Sequence, residues 1–189
     1  LFEMETAEGV LELIDKIPNL IGLNVTIPFK ADVVQYLDEI DVIASEVGSV
    51  NTITIKRFGS KFVLKGFNTD VIGFDRSLSG FLGNKQPKEA LVFGTGGSAL
   101  AISYVLKQKG INPIFVSRFP HEANVLSYAD INKKTIRQVE LIINTTPLGM
   151  FPDIDQKPDL PYKVLTPDHY LFDLVYNPEE TAFLREGNL

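Results

Sequence analysis

Three glycines, Gly94, Gly96 and Gly97, stand between an apolar run and an apolar helical pattern in "ALVFGTGGSALAISYVL". Glycines at such a turn let the backbone approach a pyrophosphate, and the N–H groups of the following helix start favour an anion. The sixth position is Ala99, which is small enough for the helix to pack on the strand. The stretch predicts a dinucleotide-binding loop or a structural strand-to-helix turn, and its place at the first turn of an alternating region favours the nucleotide.

The second strand of that region ends at Ser117 and Arg118, in "FVSRF". A site for NAD usually carries Asp or Glu there to bind the ribose hydroxyls, whereas an arginine suits a 2′-phosphate. The charge and the fork geometry of Arg118 therefore favour NADP. A solvent-exposed arginine without a ligand is the alternative.

A single lysine, Lys30, ends the stretch "NVTIPFK". It is either a surface charge where a strand turns into a helix or a proton donor at the mouth of a pocket. Asp70 begins a helical pattern, so capping is an alternative to chemistry at that position. The structural alternative for Thr26 is an ordinary strand residue. For Asn51 it is a residue that caps a helix or forms a turn.

Composition excludes several classes of function. The 18 Lys and Arg against 24 Asp and Glu give a net charge of -6, which argues against a nucleic-acid or anionic-membrane partner. The chain has no cysteine and two histidines, so it offers no thiolate metal site and little room for a Ser-His-Asp triad. No apolar run approaches the roughly 18 residues of a membrane span. We expect no metal and a cytoplasmic location, since a chain without cysteine fits a reducing compartment.

Apolar periodicity predicts the elements that position these residues. In the first half they are a helix over 6–17 capped by Thr6, a strand over 20–27, a helix over 31–40, a hairpin of "VNTITIKRF" and "KFVLKGF", and a helix over 70–82. From residue 89 onward, short β-rich runs alternate with helical stretches: "EALVFG", "SALAISYVLKQKG", "NPIFVS", "VELIIN" and "YLFDLV". This alternation predicts a parallel sheet covered on both faces, and the polar "NKQPKE" before it predicts a linker.

Six stretches occur in the order and context that resemble shikimate dehydrogenase. They are "GLNVTIPFK", "VGSVNTI", "GFNTDVIGF", "FGTGGSALA", "INTTPLGM" and "DLVYNPEETAFL". The resemblance implies an α/β chain with a substrate-binding (catalytic) α/β domain over 1–85 and a Rossmann-like, parallel-sheet NADP-binding domain over 86–189. The implied reaction is the reversible, NADPH-dependent reduction of 3-dehydroshikimate to shikimate, on the route to aromatic amino acids, and we expect a homodimer.

The resemblance also implies roles for individual residues. By position, Lys30 and Asp70 match the catalytic pair of the family, while Thr26, Asn51 and Tyr176 match residues that bind the substrate. The positions implied to bind the cofactor are Gly94, Gly96, Gly97, Ser98, Ala99, Ser117, Arg118, Asn144, Thr145 and Leu174.

The sequence departs from the family in three places. At the end of the second strand the family commonly has Asn-Arg-Thr followed by another basic residue, whereas this chain has Ser117, Arg118 and Phe119 followed by Glu122, which weakens a phosphate site. The N-terminal serine pair that holds the substrate carboxylate and the C-terminal helix with a substrate-binding glutamine have no counterpart in these 189 residues. We therefore expect these residues by themselves to fold but to show little or no turnover. Two alternatives remain open: an NAD-using quinate/shikimate dehydrogenase, favoured by Phe119 and Glu122, and a non-catalytic relative that binds a metabolite or nucleotide.

Overall fold

The computed structural model describes residues 1–120 and 125–188, which form two compact units. The first unit comprises Leu1–Ser79 and Gly96–Tyr104, and the second comprises Gly80–Thr95 and Val105–Leu189. Within the described ranges, no helix is both long enough and apolar enough to cross a membrane.

The first unit is built on a four-stranded mixed sheet. Its strands are β1 (Gly22–Asn24), β2 (Glu39–Ile40), β3 (Thr52–Phe58) and β4 (Lys61–Phe67). Their order is β1-β3-β4-β2, in which β3 pairs antiparallel with β1 and β4, and β2 pairs parallel with β4. The helices that follow or precede these strands are α1 (Gly9–Lys16), a 3₁₀ helix (Asp32–Tyr36), α2 (Val42–Val47) and α3 (Asp70–Leu82).

One face of this sheet carries the core of the first unit. Ile53 and Ile55 alternate with the half-buried Thr52 and Thr54 along β3, as expected for a strand with one buried face. They belong to the same cluster as Ile14 of α1, so the helix packs on the sheet through its apolar stripe.

Three predictions in this half are wrong in detail. The helix predicted over 31–40 is only a 3₁₀ helix, because Leu37 is extended and Asp38 N–H donates to the Leu64 carbonyl at 3.0 Å. These bonds draw the chain into β2 beside β4. The helix predicted from residue 6 begins at Gly9 with Glu8 at the N-cap position, so the predicted cap by Thr6 is wrong as well. The predicted strand over 20–27 is shorter and spans Gly22–Asn24.

The second unit contains a five-stranded parallel sheet. Its strands are β5 (Glu89–Phe93), β6 (Asn112–Ser117), β7 (Val125–Ser127), β8 (Leu141–Asn144) and β9 (Tyr170–Asp173). They are ordered β7-β6-β5-β8-β9, so the order reverses between β5 and β8. The later helices of the chain are α4 (Gly97–Gln108), which begins in the first unit, a 3₁₀ helix (Tyr128–Asp130), α5 (Lys133–Arg137), a second 3₁₀ helix (Tyr162–Val164) and α6 (Ala182–Gly187).

The α/β fold class and the Rossmann-like parallel sheet are confirmed. Ala90 to Phe93 and Leu141 to Asn144 are buried throughout, which is typical of central strands covered on both faces. The predicted hairpin and the helix over 70–82 are also confirmed. In a sheet of this topology, ligands bind beyond the carboxyl ends of the strands, where the strand order reverses.

We expect Ile53→Ala to lower the free energy of unfolding of the first unit by about 2–5 kcal/mol, because it leaves a cavity in the core. Ile53 is fully buried, whereas Ile21 is 82% exposed, so Ile21→Ala is the matched control and should change stability by less than about 0.5 kcal/mol. Urea unfolding measures the loss, and amide hydrogen exchange in β3 and β4 assigns it to this unit. Equal losses in both variants would contradict the assigned core.

Candidate functional site

Lys30 and Asp70 are brought together from positions 40 residues apart. Lys30 Nζ donates to Asp70 Oδ2 at 2.7 Å, a length typical of a charge-assisted hydrogen bond. The side chains are 13% and 30% exposed, respectively. An ammonium that is held by a carboxylate and remains partly exposed can donate a hydrogen bond or a proton to a small molecule.

Asn51 holds the second oxygen of the same carboxylate. Its Nδ2 donates to Asp70 Oδ1 at 2.8 Å and to Thr69 Oγ1 at 2.9 Å, while its Oδ1 accepts from Thr69 N–H at 2.9 Å. Asn51 is 9% exposed, so its amide is engaged within the protein. Both oxygens of Asp70 are therefore fixed by hydrogen bonds, one from Lys30 and one from Asn51.

The local structure at the start of α3 explains why the carboxylate of Asp70 is available to pair with Lys30. Asp70 is the first residue of α3, and the N–H of Val71 donates to Asn68 Oδ1 at 3.3 Å. Asn68 also donates to the Ser49 carbonyl at 2.9 Å and is buried. The capping function that the sequence left open for Asp70 is therefore performed by Asn68, and the carboxylate of Asp70 pairs with Lys30.

Lys30 lies in a turn that follows β1. The N–H of Phe29 donates to the Thr26 carbonyl at 3.0 Å, and the Lys30 carbonyl accepts from Val50 N–H at 2.7 Å. This second bond ties the lysine backbone to the segment just before Asn51. Position 30 is therefore fixed by the same stretch that orients Asp70.

Residues 97 and 98 complete the surroundings of the lysine. Lys30 Nζ donates to Ser98 Oγ at 3.1 Å, and Ser49 Oγ donates to the Gly97 carbonyl at 3.1 Å. A Cβ atom at Gly97 would lie 2.6 Å from Lys30 Cβ, so only glycine permits this approach. Two of the three ammonium hydrogens are thus engaged in the described part of the chain, and the third can donate to a bound molecule.

Thr26 lies in a different environment. It is exposed and lines a cavity of about 670 Å³ together with residues of the first 33 positions, among them Phe2, Leu23 and Phe29. The side chains that line this cavity are predominantly apolar, and Lys30 and Asp70 are not among them. The pair of Lys30 and Asp70 therefore lies outside this cavity.

The glycine loop begins at the carboxyl end of β5, beside the loop that follows β8. Gly94 has a φ of +107°, and a Cβ there would lie 2.6 Å from Thr145 Oγ1. Thr145 donates to the Phe93 carbonyl through its N–H at 3.0 Å and its hydroxyl at 2.6 Å. The two loops therefore meet at the point where the strand order reverses. Ala99 is buried in the first turn of α4.

The end of the second strand of this sheet carries Ser117 and Arg118. Ser117 Oγ accepts from Phe119 N–H at 3.1 Å, which shapes the turn. Arg118 is exposed, with its guanidinium carbon 6.0 Å from the centroid of the Phe119 ring. Its fork is therefore accessible to an anion. Glu122, which the sequence analysis weighed against a phosphate, lies outside the described residues.

Asp173 is a half-buried carboxylate that the sequence analysis missed. It ends β9 and is the register partner of Asn144, which ends β8. Asp173 Oδ1 accepts from Asn144 Nδ2 at 3.0 Å and from Val175 N–H at 3.0 Å, and Oδ2 accepts from Thr181 Oγ1 at 2.6 Å. Burial raises the pKa of Asp173 above its usual range, and these hydrogen bonds oppose the shift.

Asn144 extends this arrangement into the loop after β8. Its Oδ1 accepts from Thr146 N–H at 3.0 Å and from Thr146 Oγ1 at 2.6 Å, and its Nδ2 also donates to the Leu148 carbonyl at 3.2 Å. The side chain is fully buried. Leu174 is half-buried, and its N–H donates to the Asn144 carbonyl at 3.0 Å. Tyr176, two residues farther on, is 89% exposed.

The signal that could have identified Asp173 was present in the sequence. An acidic residue directly at the end of an apolar strand, in "YLFDLV", is placed at the ligand-binding edge of a parallel sheet. The described residues contain no group of three or more His, Asp or Glu side chains that could hold a metal ion, and every buried side-chain nitrogen or oxygen among them has a hydrogen-bond partner.

Comparison with known proteins gives consistent matches. A family model described as the shikimate dehydrogenase substrate binding domain matches residues 1–53. A curated protein of Desulforamulus reducens, named shikimate dehydrogenase (NADP(+)), is 36% identical over 187 residues, which cover 89% of this chain and 63% of that protein. The chain thus spans less than two thirds of the length of this curated relative.

Two solved structures are similar over nearly the whole chain. A chorismate mutase/shikimate 5-dehydrogenase fusion protein from Clostridium acetobutylicum is 34% identical with a TM-score of 0.79, covering 100% of this chain and 70% of that one. Shikimate 5-dehydrogenase from Thermus thermophilus, solved in complex with NADP(H) and shikimate, is 28% identical with a TM-score of 0.75, covering 99% of this chain and 70% of that one.

The raised pKa of Asp173 predicts how stability depends on pH. Between the pKa of an unfolded Asp, about 3.9, and the higher pKa of folded Asp173, the folded protein binds more protons than the unfolded one. The stability of the wild type relative to Asp173→Asn is therefore greatest below about pH 3.9 and falls as pH rises through the folded pKa. Urea unfolding of both proteins across this range measures the difference; a constant or rising difference would contradict it.

Proposed function

We propose that this chain, which belongs to the shikimate dehydrogenase family, carries the site that reversibly reduces 3-dehydroshikimate to shikimate with NADPH. The observation that supports the proposal most directly is the 2.7 Å bond between Lys30 and Asp70, with Asn51 on the other carboxylate oxygen. The names of the relatives support the reaction and the cofactor. The order of the two catalytic positions in the chain agrees with the resemblance.

The reduction of a ketone builds negative charge on the carbonyl oxygen, so an acid must donate there. When bound, NADPH supplies the hydride that the carbonyl carbon accepts. Lys30 donates a proton to the carbonyl oxygen as that carbon becomes a secondary alcohol. Asp70 and Ser98 hold the ammonium in place, so that its third hydrogen is directed toward the substrate. In the oxidation direction, Lys30 takes the hydroxyl proton back.

The substrate side of the proposal assigns different roles to the three predicted residues. Asn51 orients Asp70, because its amide already serves Asp70 and Thr69. Exposed Thr26 and exposed Tyr176 offer hydroxyl groups to a polyhydroxylated acid. These hydroxyls would distinguish shikimate from an apolar ring.

The cofactor side rests on the carboxyl edge of the parallel sheet. A Cβ at Gly94 would enter the space held by Thr145, and around Gly96 the space is open, so the loop fits a dinucleotide backbone that must approach closely. Gly97, Ser98 and Ala99 then provide the helix start for a phosphate. Thr145 and Leu174 flank the reacting end of the cofactor, and buried Asn144 orders the loop that carries Thr145.

NADP, rather than NAD, is proposed on the exposed fork of Arg118, which can bind a 2′-phosphate with two parallel hydrogen bonds. Ser117, beside it, shapes the turn that presents the guanidinium. Phe119 is 69% exposed next to this arginine, and it is the observation that favours the NAD-using quinate/shikimate dehydrogenase alternative.

Two further assignments belong to the same proposal. Residues 1–85 bind the substrate and residues 86–189 bind the dinucleotide, which the glycine loop and the parallel sheet in the latter range support. A cytoplasmic location is supported by the absence of cysteine and by the biosynthetic reaction. The predicted homodimer is testable by light scattering of the intact protein.

We expect Lys30→Ala to lower kcat for shikimate oxidation by about 10²–10⁴-fold, because the positioned acid and base is lost. Lys16→Ala is the matched control: Lys16 also pairs with a carboxylate, Glu12 at 3.2 Å, but is 72% exposed, and its loss should leave kcat unchanged. The measurement is NADPH absorbance in steady-state assays of the intact protein. A Lys30→Ala enzyme within a few-fold of the wild type would refute the catalytic assignment. If shikimate binds but neither NADP nor NAD is reduced, the protein is a non-catalytic relative.

Arg118→Ala should lower kcat/KM for NADPH by about 10–100-fold and leave the value for NADH nearly unchanged, because a charge-assisted hydrogen bond contributes about 1.5–3 kcal/mol. Arg137, which is exposed in the same unit, provides the control Arg137→Ala. The ratio of kcat/KM for the two cofactors is the readout. A wild type that uses both equally would remove the argument from Arg118 and favour the NAD-using alternative.

A further inference from the structure

We infer that Asp173 is a positioning residue that joins the loop after β8 and the segment after β9 into one rigid support for the reacting end of the cofactor. This inference rests on the proposed function, because the support is useful only where Thr145, Leu174 and Tyr176 face ligands. Asp173 itself is placed to contact neither substrate nor cofactor in this scheme.

The argument begins with the position of the carboxylate. Asp173 and Asn144 are register partners at the carboxyl ends of adjacent parallel strands. Their side chains are joined by a 3.0 Å hydrogen bond. Each residue also holds the chain that follows it: Asp173 accepts from Val175 N–H at 3.0 Å, and Asn144 accepts from Thr146 N–H at 3.0 Å. One side-chain bond therefore couples the conformations of two loops.

The second oxygen of Asp173 adds a third attachment. Thr181 donates its hydroxyl to Asp173 Oδ2 at 2.6 Å and accepts from Leu184 N–H at 3.3 Å. Thr181 is the N-cap of α6 and is fully buried. The segment from residue 174 to residue 180 is thus held at both ends by the same carboxylate, which limits where Tyr176 can go.

Energetics indicate that the carboxylate has a specific role here. All of its described partners are neutral donors, and burial raises the pKa of Asp173. Even a half-buried carboxylate loses part of its hydration, which is costly without an ion pair. An asparagine at this position would avoid that cost but would present one acceptor oxygen instead of two. Only the carboxylate accepts from Asn144, Val175 and Thr181 at once.

The loss of this support should affect the rate of the reaction and the affinity for the cofactor differently. Misplacing reacting groups by about 1 Å costs about 10²-fold in rate. Arg118, which is proposed to bind the adenosine phosphate, lies at the end of β6. It takes no part in the three hydrogen bonds that Asp173 accepts. Loss of Asp173 should therefore lower kcat while leaving the affinity for NADPH nearly unchanged.

The test compares the intact wild type with Asp173→Ala and Asp173→Asn. Asp173→Ala should lower kcat by about 10–100-fold, change the Kd of NADPH by less than about threefold, and reduce the emission enhancement of bound NADPH. Asp173→Asn retains the oxygen that serves Asn144 and Val175, so its kcat should fall far less. Ile136→Ala, in the buried core of the same unit, loses stability without touching either loop and should keep kcat.

Amide hydrogen exchange provides a readout that does not depend on turnover. In Asp173→Ala, exchange should accelerate at Val175, which loses its acceptor, and also at Thr146, whose acceptor is Asn144. Thr145, bonded to the Phe93 carbonyl, should keep its protection. Unchanged exchange at Thr146, or a loss of kcat no larger than that of Ile136→Ala, would overturn the inference. If the wild type does not turn over shikimate, the proposed function fails, while exchange and NADPH emission still decide the role of Asp173.

Discussion

The partly buried carboxylate of Asp70 is the constraint on which the first unit depends. A charge removed from water must be paired or hydrogen-bonded, because leaving it alone costs several kcal/mol. Here the pairing is distributed over three parts of the chain: the turn that carries Lys30, the start of the hairpin at Asn51, and the first residue of α3. The site is therefore defined by electrostatics as much as by the apolar core beneath it.

In the second unit, a carboxylate partly removed from water is stabilised without an ammonium. Asp173 has no described cationic partner and relies on three neutral donors, so burial raises its pKa. The difference matches the two locations. An ammonium with a hydrogen still available to donate is suited to proton transfer, whereas a set of neutral hydrogen bonds between adjacent strand ends is suited to holding loops. Both carboxylates lie where regular structure begins or ends, because side chains there can reach backbone groups that helices and strands leave without partners.

Much of the fold follows from local patterns. The hairpin is specified by alternating apolar residues around Gly59, and α3 by helical spacing over Asp70–Leu82. For residues 31–40, the helix predicted from apolar spacing is wrong. The spacing of this stretch suits a helix, but Asp38 pairs with Leu64 through both its N–H and its carboxylate, which accepts from Leu64 N–H at 2.7 Å. A tertiary partner outweighed a weak local preference.

By itself, the sequence determined the glycine turn, four of the five strands of the second unit and the helix α4, and the residue types available for chemistry, since these depend on periodicity and on side-chain identity. Only the tertiary structure decided which polar side chains are exposed and which are hydrogen-bonded within the protein. The sequence suggested that Asn51 and Asn144 bind ligands, yet the side-chain amides of both residues are hydrogen-bonded within the protein. The structure also gives a reason for two glycines of the loop. A Cβ atom at Gly94 would collide with Thr145, and a Cβ atom at Gly97 would collide with Lys30. The physical reason is that hydrogen-bond satisfaction depends on neighbours distant in the chain, which periodicity does not encode.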